Sequence, residues 1–144
     1  MALTLSSTVE AALVAILSTG STALAAANPQ TGNSSEKVAL PWVVVSGSAA
    51  GREFAFQTGL YEINVTVSAE NKATASPTPD ELIAEANRVF AGLNRLSQRE
   101  ILSTFAPHGL LALGVIPSQA TSSDVNGDNR RSSCGLSVIC RLNS

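Results

Sequence analysis

Tyr61-Glu62-Ile63-Asn64-Val65-Thr66-Val67-Ser68 is the stretch on which the fold class turns. Apolar Tyr61, Ile63, Val65 and Val67 alternate with polar Glu62, Asn64, Thr66 and Ser68, so in an extended chain the four apolar side chains leave the same face. One buried and one polar face make a half-exposed strand of an antiparallel sheet, within an extended stretch over 54–69. A second alternation closes the chain: over 133–142, Cys134, Leu136, Val138, Cys140 and Leu142 share one face. Two shorter strands are expected elsewhere. Pro41-Trp42-Val43-Val44-Val45 is a β-branched run entered through a proline, and Leu110–Ile116 is an apolar run closed by Pro117.

Helices interrupt these strands. Thr78-Pro79-Asp80-Glu81 combines an N-cap threonine, a proline at the first helical position and a glutamate that completes a capping box. Behind it Leu82, Ile83, Ala86, Val89, Phe90 and Leu93 follow the helical period. Ser97-Gln98-Arg99-Glu100 repeats the capping box before a short helix that Pro107 and Gly109 end. At the N-terminus, Val9, Leu13, Ile16 and Leu17 form an apolar stripe. That helix is expected to start near Ser6, Ser7 or Thr8, with Glu10 close to its first turn and Gly20 as its stop. The order of elements is helix, strand, strand, helix, short helix, strand, long loop, strand. It gives an α+β fold: residues 1–144 as a single domain, a mainly antiparallel sheet with long hairpins, packed against two to three helices. Residues 28–37 and 118–133 read as loops, the second long and mobile, and 47–51 as a turn.

Charged residues are 14% of the chain, against about 25% in ordinary soluble domains, and the net charge is −2. No basic run exceeds Arg130-Arg131, which excludes the clustered basic face of a sequence-specific nucleic-acid binder. Cys134 and Cys140 lie on one strand face roughly 20 Å apart, whereas a disulfide needs Cα atoms within about 7 Å. Two buried thiols are expected.

Catalytic chemistry is not written in this sequence. His108 sits in a turn between Pro107 and Gly109 and has no nucleophile motif to serve. The 47–52 segment lacks the glycine spacing and the Lys-Ser/Thr of a phosphate loop. Asp124, Asn126 and Asp128 match the first three ligands of a calcium loop, yet Asn129 stands where glycine is required and Gly135 where the bidentate carboxylate belongs. No enzyme activity, cofactor or metal is therefore expected, and no run is apolar enough for a membrane span.

The ordered elements resemble the tail-terminator (tail-completion, or neck) proteins of tailed bacteriophages. The likeness runs from Val9 to Leu142: a leading helix, the strand from Leu40 to Val45, a Gly-rich turn, and the long strand from Gly59 to Val67. The amphipathic helix Asp80–Leu93 and a final strand follow. The resemblance implies a virion protein assembled in the host cytoplasm. It implies a ring, usually hexameric, that caps the tail tube, joins it to the head connector and leaves a passage for DNA. Its partners would be itself, the tail tube protein and the connector. The mixed charges of Asp124, Asp128, Arg130 and Arg131 on the 118–133 segment suit a register-setting contact with a neighbouring subunit. A competing reading makes residues 1–26 a signal peptide, since Ala23-Leu24-Ala25 imitates a cleavage site, and the rest an exported binding module. Against it, no Lys or Arg precedes Lys37, Glu10 interrupts the apolar stretch, and that stretch is short.

Overall fold

Tyr61–Lys72, which contains the alternating stretch, is a central strand of a six-stranded sheet. The computed structural model describes residues 2–32, 40–47, 52–53 and 60–142. In chain order they form α1 (Ala2–Gly20), α2 (Thr22–Ala26), β1 (Pro29–Thr31), β2 (Trp42–Gly47), β3 (Arg52–Glu53) and β4 (Tyr61–Lys72). Then come α3 (Pro79–Asn94), α4 (Gln98–Phe105), a 3₁₀ turn (Ala106–His108), β5 (Leu110–Asn126) and β6 (Asn129–Leu142). The sheet runs β1-β2-β4-β6-β5, with β3 paired to β4. Every pairing is antiparallel except that of β1 with β2. The fold is the expected α+β single domain with long hairpins.

Cross-strand register fixes the two faces. Val45 lies opposite Val67, Val67 opposite Cys134, Ile63 opposite Val138, and Val138 opposite Val115. These inward side chains join one buried cluster with Val9, Leu13 and Leu17 of α1, Leu82, Ala86 and Phe90 of α3, and Ile101 and Phe105 of α4. All the longer helices therefore cover the same side of the sheet. The opposite face carries exposed Ser46, Asn64 and Thr66.

Both capping boxes form as expected. The Thr78 hydroxyl accepts the Glu81 N–H and the Ser97 hydroxyl that of Glu100, while each glutamate reaches back to its cap. Such caps each contribute about 1 kcal/mol. The backbone N–H of Ser97 holds the Glu100 carboxyl below the usual carboxylate range. Gly109 ends the 3₁₀ turn at φ 80°, a left-handed conformation that glycine adopts without steric cost.

Three expectations need correction. First, α1 starts at Ala2, upstream of the hydroxyl residues expected to open it, because Leu5 adds another buried contact to the apolar stripe. Glu10 thus falls in mid-helix, 3% exposed, where its Oε2 accepts the Gly47 N–H at 2.8 Å instead of facing the helix dipole. Second, part of the 28–37 loop is strand: β1 aligns parallel to β2, and the Gly32 N–H donates to the Val45 carbonyl at 2.8 Å. Third, the 118–133 segment is no mobile loop. β5 runs through Asn126, β6 begins at Asn129, and Gly127-Asp128 forms a two-residue hairpin turn with Gly127 at φ 65°. Residues 33–37 of the expected first loop, 48–51 of the expected turn and 54–59 of the expected long strand lie outside the described residues.

Candidate assembly surface

The four charges expected to meet a neighbour sit at the closed end of the β5–β6 hairpin, and the structure divides them. Asp124 and Arg131 occupy facing positions across the two strands, and Asp128 is in the turn. Both arginines bond within the subunit. Arg130 Nη2 lies 2.7 Å from Asp80 Oδ2, in the first turn of α3, and its Nε donates to Ser123 Oγ at 3.2 Å. Ser132, buried beside it, donates to Asp80 Oδ1. These bonds fasten the hairpin to the start of α3.

Arg131 turns to the other face of the sheet. Its Nε and Nη2 donate to Glu70 Oε1 at 3.1 and 2.9 Å, and its guanidinium carbon lies 5.4 Å from the centre of the Trp42 ring. Asn129 Nδ2 donates to Glu70 Oε2 at 2.9 Å. By register Trp42, Glu70, Arg131 and Asp124 form one row across β2, β4, β6 and β5. Glu70 is only 6% exposed, so three hydrogen bonds from two donor side chains satisfy its carboxylate in a partly dehydrated setting. Glu70→Ala should cost about 2 kcal/mol. The half-exposed Arg131 head can rehydrate, which keeps the loss below that of a wholly buried pair. Urea unfolding monitored by Trp42 fluorescence checks this value.

Asp124, Val125 and Asp128 are exposed at this end, as are Ser123, Gly127 and Arg131. Val125 is 69% and Ile116 52% exposed, and both lie on β5. Ile116 falls in the expected strand Leu110–Ile116 and Val125 in the expected 118–133 loop, and residue type alone marks neither as an exposed strand position. The Asn126-Gly127-Asp128 turn, followed by the alternation over 133–142, was the signal that could have revealed the hairpin. The candidate calcium ligands belong to the ends of two paired strands and their two-residue turn, not to a twelve-residue loop.

Elsewhere the polar groups serve packing. Ser21 Oγ donates to Glu85 Oε1 at 2.8 Å while accepting the Leu24 N–H, and Arg88 Nη2 donates to the Gly20 carbonyl at 2.9 Å. The α1–α2 junction is thereby tied to α3. Hydrogen bonding by Arg88, then by Ser21, holds the Glu85 carboxyl below its ordinary range. His108 borders a groove of about 290 Å³ with Ile16, Thr19 and Val89, a lining without a nucleophile–base pair. A second groove of about 320 Å³ runs between α3 and β5, lined by Asn87, Asn94, Arg95 and Pro117 among others. Among the described residues no three His, Cys, Asp or Glu side chains converge as a metal site, and no helix is long and apolar enough to cross a membrane. Compared with protein-family models and with curated proteins, the chain matches none.

Proposed function

We propose that this chain is a structural subunit that acts by assembly, and that its place is the one its element order resembles. It would form a ring at the head–tail neck of a tailed bacteriophage, capping the tail tube and joining it to the head connector. The observation that supports this reading is the one-sided packing. The longer helices cover one face of the sheet, while the long β5–β6 hairpin, with Ile116 and Val125 exposed, is left to neighbours. Single exposed apolar side chains are common on any surface, but two on one strand at the margin of a sheet suit a contact.

The competing reading, export after cleavage of residues 1–26, requires losing Leu5, Val9, Leu13, Leu17 and Leu24, all of which are buried. A segment that supplies the core is poorly suited to removal. The neck reading is tested by electron microscopy of assembled particles with the chain carrying a bound antibody fragment. Label at the head–tail junction, six copies to a ring, is the expected result. Label on a cell surface, or a two-fold contact within the assembled particle in place of a ring, overturns it.

A further inference from the structure

Among the described residues the sheet ends on one side in short strands, β1 and the two-residue β3, and on the other in the long β5. β1 is three residues long, opens on Pro29, which has no N–H to donate, and is flanked by α1 and α2. β5 has seventeen residues, and among the described residues no strand pairs with its outer side. An unpaired strand edge is a ready template for another strand, and proteins blunt such edges with bulges, prolines and lysines. β5 has such devices only in its first part. Register shifts fall between Ala112 and Gly114 and between Pro117 and Thr121, and Pro117 itself removes a donor. From Thr121 to Asn126 the pairing with β6 is regular, with no proline, no lysine and one charge, Asp124. The exposed Val125 lies in this unprotected segment.

We propose that a second copy of this chain docks here, its β5 pairing antiparallel with this one over Thr121–Val125 and joining two sheets across a two-fold axis. The asymmetry of the two edges identifies the occupant. Head-to-tail strand addition would need a usable edge at each end, and β1 offers only three residues. A single long open edge is closed by its own copy in an isologous contact, which needs no second edge. Charge then selects the register. An axis at Asp124 would set two carboxylates directly opposite each other, a destabilising pair. An axis at Ser123 sets Asp124 opposite Ser122 and Val125 opposite Thr121. This keeps partners on matching sheet faces, because positions 121, 123 and 125 alternate with 122 and 124. The pairing is independent of the neck reading: it engages the free protein, and because it occupies the strand that the neck reading leaves to neighbours, ring assembly would displace it.

The test uses the full chain. Sedimentation equilibrium across a wide concentration series should show the apparent mass rising from 14.8 kDa toward twice that value. Backbone amide exchange within 121–125 should slow in step. Ile116→Lys with Val125→Lys, both at exposed positions, should keep the circular dichroism spectrum and abolish the rise in mass. A monomer at every concentration, a dimer without protection in 121–125, or a dimer that survives both lysines in a folded variant each overturns the proposal. So does a six-fold ring in solution with 121–125 unprotected, a result that would leave the neck reading standing. If the lysine variant fails to fold, exchange in the unaltered chain still decides.

Discussion

A chain beginning at residue 27 is expected not to fold. α1 and α2 supply Leu5, Leu13, Leu17 and Leu24, each at most 2% exposed, together with Val9 at 0%. Truncating one buried leucine to alanine costs about 2–5 kcal/mol, so losing four is on the order of 10 kcal/mol. The whole stability of a domain is about 5–15 kcal/mol. The deletion also removes the Ser21 and Gly20 contacts to Glu85 and Arg88, and exposes the side of Val43 and Val45 that α1 helps to bury. The amide spectrum of the 27–144 chain should therefore collapse to the narrow dispersion of an unfolded protein, and its thermal transition should vanish. Leu13→Ala in the full chain is the graded version, with a loss of about 3 kcal/mol in urea unfolding. A 27–144 chain that melts cooperatively near the temperature of the full chain would refute the prediction and restore the export reading.

The sequence was readable where burial and side-chain chemistry vary together. Ile63, Val65 and Val67 are buried and Asn64 and Thr66 exposed, so alternation along β4 can be seen in residue types alone. The same holds for Cys134 through Cys140, and the two capping boxes are local hydrogen-bond patterns that depend little on the rest of the fold. The distal half of β5 carries no such contrast. Its inward-facing Ser123 meets Ser132 and Arg130, polar groups anchored on Asp80 fifty residues earlier in the chain. A strand whose exposed Ser123 bonds to groups held by a distant carboxylate looks like a loop when only composition is read. β1 was hidden for another reason: three residues are too few to display a period. At the candidate surface, the charges of Arg130 and Arg131 were visible but their partners were not, since Asp80 and Glu70 lie 50 and 61 positions away. Residue types announced an ionic cluster, and only the fold showed that its two arginines bond within one subunit.

Alkaline solution is expected to unfold this protein through its two thiols. Cys134 and Cys140 are buried and unbridged. Cys134 lies in register between Val67 and Thr121, and Cys140 between Tyr61 and Ala112, so neither is set opposite a cation. Burial disfavours the thiolate and raises the Cys134 thiol from 9.0 to about 11 and the Cys140 thiol from 9.0 to about 12. Below pH 9 folded and unfolded chains alike keep both protons, and the thiols add no pH dependence. Above it the unfolded chain releases protons that the folded chain retains, so unfolding gains about 1.4 kcal/mol per pH unit for each thiol. The loss continues until pH passes the folded values, near 11 and 12. Over two units that is several kcal/mol, a large part of a stability of about 5–15 kcal/mol. Cys134→Ala with Cys140→Ala should lower stability at pH 7, because removing each buried sulfur leaves a small void. It should also flatten the decline above pH 9, so that the two stability curves converge or cross as pH rises. Urea midpoints measured at intervals from pH 7 to pH 11 provide the comparison. Parallel curves throughout that range would show that the thiolates are no harder to form in the folded chain than in the unfolded one, and would remove the thiols from the account of alkaline unfolding.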